Sequence, residues 1–278
     1  MAQGGKEHKM LFDIRRGRRK TAVKVVYAVL AVLMGLSLFL VVGPVNIGEI
    51  FGSNGGGSSE VIKSYEEQAE RTEAKLRKDP ENPDLLLALA RTHVTAGNTL
   101  RSGEGVSEED LVEALQQYQQ ASSAWSEYLE ATEEPSAGVA QLMAPALLAL
   151  AEASRSTTES ASNVKAAAEA QKIAAEQRPT LNSLYTLSLY TYFTGDYAAA
   201  EKAEAEAVKQ TKAKFERESV EKQLKEAKER SEKFLKEVKK VEAAENAAAK
   251  ANNGKTPNLS GSANPLNGAF GTGSGLGE

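Results

Sequence analysis

The chain contains no cysteine. That absence excludes a disulfide scaffold, a Cys-ligated zinc site, an iron–sulfur cluster and a thiol nucleophile. Histidine is nearly as scarce, with His8 and His93 alone among 278 residues, which leaves little for imidazole metal ligation or acid–base work. Aromatic residues are 6% of the chain and the formal net charge is only −4, which argues against a generic nucleic-acid binder. The phosphate-loop, dinucleotide and nucleophile-elbow spacings are missing, and Gly55-Gly56-Gly57 follows no strand. The sequence therefore reads as a non-enzyme, with no catalytic residues, no cofactor, no metal and no nucleic-acid partner.

The small net charge is a sum of unlike parts. Residues 1–24 hold eight basic side chains against Glu7 and Asp13, a net +6, so the remainder carries −10. From Val25 to Val42 come 18 residues without a charge. About 20 apolar residues span the hydrocarbon core as a helix, so residues 21–43 are expected to be a transmembrane helix, anchored by Val25, Leu30, Leu33, Leu36, Phe39 and Val42. The run is too long for a cleaved signal peptide and no small-x-small site follows it. The basic stub at 1–20, with no Lys or Arg between Lys24 and Lys63, orients the N-terminus to the cytoplasm and the rest outside it. This is the expected arrangement of a single-pass protein of a bacterial inner membrane.

Residues 44–58 are rich in Gly and read as a flexible linker. From 59 to 250, apolar residues recur at spacings of three and four among Ala, Glu, Lys, Gln and Leu, which are helix signals. Pro and Gly punctuation predicts an all-α domain with helices near 59–78, 84–96, 108–131, 136–155, 161–178, 181–194 and 197–250. Pro145 either starts a helix near Ala144 or interrupts a longer one. Residues 251–278 have too few apolar side chains to order themselves. Asn264-Pro265-Leu266 or Phe270 is a motif that could dock a partner; the plainer alternative is a disordered tail.

The helices repeat in pairs. Thr194-Gly195-Asp196 and Thr95-Ala96-Gly97-Asn98 each read as a helix closed by Gly. Ala114-x3-Tyr118-x2-Ala121, Ala167-x3-Gln171-x2-Ala174 and Ala200-x3-Glu204-x2-Ala207 share a spacing of small residues, and Pro179 follows the middle one at the right distance. Lys78-Asp79-Pro80-Glu81-Asn82-Pro83 suits the start of a unit. Leu86, Leu89, Ala90 and His93 in one unit match Leu184, Leu187, Ser188 and Thr191 in another. This pattern resembles the tetratricopeptide repeat, with repeats at about 83–131, 136–178 and 180–212. The markers are unevenly spaced because a loop, Thr99–Asp110, lengthens the first interval.

The resemblance implies a concave groove lined by the first helix of each unit, binding a peptide or helix of another protein. It places Asp84, Leu87, Arg91, Val94 and Thr95 there from the first unit, and Asn182, Tyr185, Leu189, Tyr192 and Phe193 from the third. Leu87, Arg91, Tyr185, Leu189, Tyr192 and Phe193 are the candidate partner-binding residues. The family's carboxylate clamp needs Lys and Asn where Leu87, Arg91, Tyr185 and Leu189 stand, so recognition of an acidic C-terminus is disfavoured. Finally, Asp196–Lys250 has no Gly or Pro and ends in a heptad seam: Val220, Leu224, Ala227, Ser231, Phe234, Val238 and Val241. Two uses remain open for it: capping its own array, or a coiled coil that joins two copies through 220–241.

Overall fold

Asn82 opens the first of the strongly signalled helices, its side chain accepting from the Leu85 amide at 3.1 Å. Pro83, the first residue of that helix, has no N–H to lose there. The same logic starts others: Ser107 caps at Asp110, Ser156 at Glu159, Thr180 at Ser183 and Asp196 at Ala199. The computed structural model describes residues 58–102, 105–251 and Leu266. Among them are eight helices and no strand: α1 (Ser58–Leu76), α2 (Pro83–Arg101), α3 (Glu108–Ala131), α4 (Ala137–Ala153), α5 (Thr157–Gln177), α6 (Leu181–Thr194), α7 (Tyr197–Gln210) and α8 (Lys214–Ala251). The domain is all-α, as its periodicity requires. The stretch at 21–43, with Val25, Leu30, Leu33, Leu36, Phe39 and Val42, lies outside the described residues. Among the described residues no helix is long and apolar enough to cross a membrane.

The most extensive pairings are α2 with α3, α4 with α5 and α6 with α7. Ala90, Ala114, Ala121, Ala167, Ala200 and Ala207 are all fully buried, so the small-residue positions are those where paired helices come closest. Each pair then leans on the next, through α2 on α4, α3 on α4 and α5 on α6. One continuous core runs from Leu86 in α2 through Trp125, Met143, Val164 and Phe193 to Phe234 and Val238 in α8. A smaller cluster of Ile62, Ala96, Leu100 and Ala114 joins α1 to it. Several buried polar side chains find partners within the array. His93 Nδ1 stands 2.7 Å from Gln117 Oε1, Ser160 donates to Ala151 O, and Ser188 donates to Ala200 O.

The end of α2 and the loop after it differ from the sequence expectation. Gly97 does not end a helix; α2 continues to Arg101. Its lack of a side chain serves packing instead, because a Cβ there would meet Tyr118 Cε1 at 2.5 Å. The loop before α3 shortens accordingly, from Ser102 to Ser107. Gly195 does behave as expected, with φ +86° at the end of α6. Of the two readings left open for Pro145, the interior one holds: it lies inside α4, and lacking an N–H it leaves the Gln141 carbonyl without its helical donor.

The largest difference is the long last helix, which breaks at Thr211–Ala213 into α7 and α8. Polar side chains replace the bonds that the break removes. Thr211 Oγ1 donates to Val208 O at 2.6 Å, and the amides of Lys212 and Ala213 donate to Glu216 Oε2 at 2.7 and 3.4 Å. Such local side-chain bonds compete with helix continuation without any Gly or Pro. The turn lets α8 fold back onto the array. Val220, Leu224, Ala227, Ser231, Phe234 and Val238 are all buried, chiefly against α6, with lesser contacts to α5 and α7. Tyr185 meets Gln223 and Phe193 meets Phe234, so α8 runs parallel to α6. It stands where the first helix of a further pair would stand.

Candidate interaction surface

The six residues expected to line a partner groove fall into two groups. Leu87 and Arg91 lie on α2, where Leu87 is half-buried against the core and Arg91 is exposed. Of their expected neighbours, Asp84 is exposed, Thr95 half-buried and Val94 buried; Asn182 on α6 is exposed. Tyr185, Leu189, Tyr192 and Phe193 are buried in α6. The seam of α8 packs against this helix. Tyr185 donates its hydroxyl to Gln223 Oε1 at 2.7 Å, and the Phe193 and Phe234 rings stand 5.9 Å apart, centroid to centroid. Tyr192, only 1% exposed, donates to Glu204 on α7, and its ring stands 6.1 Å from that of Tyr197, tilted by 51°. The aromatic side chains that singled out α6 in the sequence are thus spent inside the domain.

The electrostatics of these hydroxyls follow from burial. The Tyr190 phenol is pushed up to about 12, first by desolvation and then by the Glu152 carboxylate. Tyr192 is raised further, by desolvation and by its bond to Glu204. Tyr185 and Tyr118 are raised, again chiefly by desolvation. All four are neutral hydrogen-bonding groups at physiological pH. None is poised as a general base, which would need a pKa near the operating pH.

Several open depressions remain, and two of them are lined by several residues of α6. One, about 810 Å³, lies between α5 and α7 and is floored by α6. Leu184, Leu187, Ala168, Ala175 and Ala203 supply its apolar surface; Lys165, Lys172 and Lys202 alternate with Glu169, Asp196 and Glu206 around it. The second, about 390 Å³, separates α4 from α6 and includes Gln141, Pro145, Gln171, Arg178, Asn182 and Tyr190. Sequence reasoning did not name the first; the second is lined by two of its expected groove residues, Asn182 and Leu189. The signal for the first was the low alanine ridges of α5 and α7, which leave a trough where larger side chains would fill it. Among the described residues no group of three His, Asp or Glu side chains is placed to hold a metal ion.

The arrangement offers shape, apolar floor and mixed charge, which are the means of recognising another chain. No family model matches the sequence, and no curated protein or solved structure is similar to it.

Proposed function

We propose that the chain is a membrane-tethered protein-interaction module of tetratricopeptide-repeat type, carried on the outer face of a bacterial inner membrane. The observation that carries this reading is the open α5–α7 trough, whose apolar floor and alternating Lys and Glu rim suit an amphipathic helix of a partner. The basic stub, the uncharged stretch after it and the Gly-rich linker support the tether and its orientation. Single-anchor repeat proteins that accompany a secretion translocon or hold its clients share this order of parts, and the chaperone-like scaffold reading rests on that order alone. The reading assigns no reaction to the chain. Assembly of an envelope or division structure through 220–241 is the competing reading. It requires α8 to leave α6, because its seam is buried there.

Crosslinking in cells tests the proposal. A photoreactive residue at Leu187, on the trough floor, is expected to give discrete adducts with other proteins, whereas one at Lys222, on the exposed side of α8, is not. Leu187→Glu should remove the partner while leaving the helical content unchanged. Equal labelling from both positions, or adducts only with a second copy of the chain, would refute the module. Protection of the domain from protease in spheroplasts would refute its orientation.

A further inference from the structure

Among the described residues four large apolar side chains are exposed: Val61, Leu111, Val112 and Phe215. Leu111 and Val112 are neighbours in the first turns of α3, 43% and 57% exposed. Val112 lines an open depression of about 720 Å³ between α1 and α3. Every charged residue around it is a carboxylate: Glu66 from α1, and Glu108, Glu109 and Glu113 from α3. Among the described residues none of the four is in an ion pair. No Lys or Arg occurs between Arg101 and Arg155, so α3 has no cation of its own to offset them. Glu108 and Glu109 suit the positive start of α3; Glu66 and Glu113 have no such local use. Gln117, 8% exposed, is also in the wall. Its Oε1 stands 2.7 Å from His93 Nδ1, which leaves its amide N–H groups without an acceptor.

Phe215 is 77% exposed at the start of α8 and does not join the buried seam. It stands beside the α7–α8 turn with Lys209, Lys212, Lys214 and Arg217, all exposed. Glu216 is committed to the amides of Lys212 and Ala213. Glu218 reaches Lys214 at 3.6 Å, but both side chains are largely in solvent, so the pair contributes little. A lone exposed phenylalanine is ordinary. Here it is flanked by cations, and the same chain exposes apolar side chains flanked by carboxylates.

We propose that these two surfaces bind each other between copies of the chain. Phe215 of one copy enters the α1–α3 depression of the next against Val112, with Lys212, Lys214 and Arg217 facing Glu66, Glu109 and Glu113. The turn also brings acceptors for Gln117, because carbonyls in the last turn of a helix lack intrahelical donors. The two surfaces differ, so the contact is heterologous and each copy keeps one surface for a further copy. Assembly is open-ended, and α8 stays on α6, unlike in a coiled coil through 220–241. Opposed charges make the contact weaken with salt. The inference rests neither on the α5–α7 trough nor on the membrane tether.

Sedimentation of the full chain in detergent tests it. The wild type is expected to form species larger than a dimer as its concentration rises to about 100 μM. Raising the salt from about 50 to about 500 mM should weaken association at least about 10-fold. Phe215→Ser removes the inserted side chain, and Glu66→Lys with Glu113→Lys reverses the charge of the depression. Each variant alone should stay monomeric. Mixed, they should form a dimer of one copy of each and nothing larger, because one intact depression meets one intact turn. Capture of one variant by the other also shows that both are folded. A monomeric wild type, a mixture that stays monomeric, or association of either variant alone overturns the proposal. So does binding of vesicles rich in phosphatidylglycerol that Phe215→Ser abolishes while self-association is unchanged, which would assign the turn to a lipid surface.

Discussion

The ring of Tyr118 occupies the space that a side chain on Gly97 would need. A Cβ at Gly97 would lie 2.5 and 2.7 Å from two ring carbons and 3.1 Å from Ala114 O. The Tyr118 hydroxyl reaches past the glycine to donate to Asn98 Oδ1 at 2.7 Å, and the Arg101 guanidinium lies 5.9 Å from the ring centroid. Helices α2 and α3 approach this closely because one residue has no side chain and the facing one is large and flat.

Gly97→Ala is therefore expected to destabilise the domain. Alanine favours a helix interior by about 1 kcal/mol, but overpacking costs about 1–3 kcal/mol, and the ring cannot move without breaking its bond to Asn98. The net loss should be about 1–2 kcal/mol by thermal unfolding. Tyr118→Leu should relieve most of the added strain, read as a coupling in a double-mutant cycle.

Alkaline pH should unfold the domain through its tyrosines. A phenol whose folded pKa lies above the unfolded value of about 10 ionises more readily in the unfolded chain. Its contribution is intact below pH 10 and is lost as pH rises toward its folded value, which is about 12 for Tyr190. A shift of that size corresponds to about 2–3 kcal/mol from this residue. Tyr118, Tyr185 and Tyr192 act in the same direction. Near-ultraviolet absorbance should show these tyrosines ionising together with loss of circular dichroism. A smooth titration with the helices intact would contradict this.

Phe234→Ala should release α8 before the rest of the array. Its ring stands against Phe193, and emptying such a site costs about 3–5 kcal/mol. Hydrogen exchange should quicken across Val220–Val238 and in α6 while α2–α5 keep their protection. Uniform loss of protection would mean that α8 and the array unfold as a single unit.

Ser107→Ala should remove one end of a reciprocal cap. The Asp110 amide donates to Ser107 Oγ at 3.1 Å, and the Ser107 amide donates to Asp110 Oδ2 at 2.8 Å. Loss of such a cap costs about 1 kcal/mol, a fall of about 2–4 °C in the melting temperature of a domain this size. Ser107→Thr should restore most of it.

Local chemistry was legible in the residue order. The unit start at Asn82-Pro83, the left-handed stop at Gly195 and the small-residue spacing at Ala114, Ala167 and Ala200 each act within a turn or two of helix, so their consequences could be read directly. The heptad from Val220 to Val238 was equally plain as an apolar stripe, because burial imposes that period whatever lies opposite. Its partner was not legible, since a stripe specifies only that something apolar covers it. The break at Thr211 was hidden for a related reason: no Gly or Pro marks it, and it holds because the folded-back α8 gains the α6 surface.

The sequence by itself determined an all-helical domain, its approximate boundaries and its division into pairs, because capping, turn chemistry and hydrophobic period are short-range causes. Tertiary structure alone decided that Gly97 is a contact and not a stop, and that Tyr185, Tyr192 and Phe193 of α6 face α7 and α8. It also decided that Leu266, in a tail of Gly, Asn and Ser, ends inside the core. Each of these depends on residues far apart in the chain meeting in one volume, where close packing and the exclusion of water fix what a side chain does.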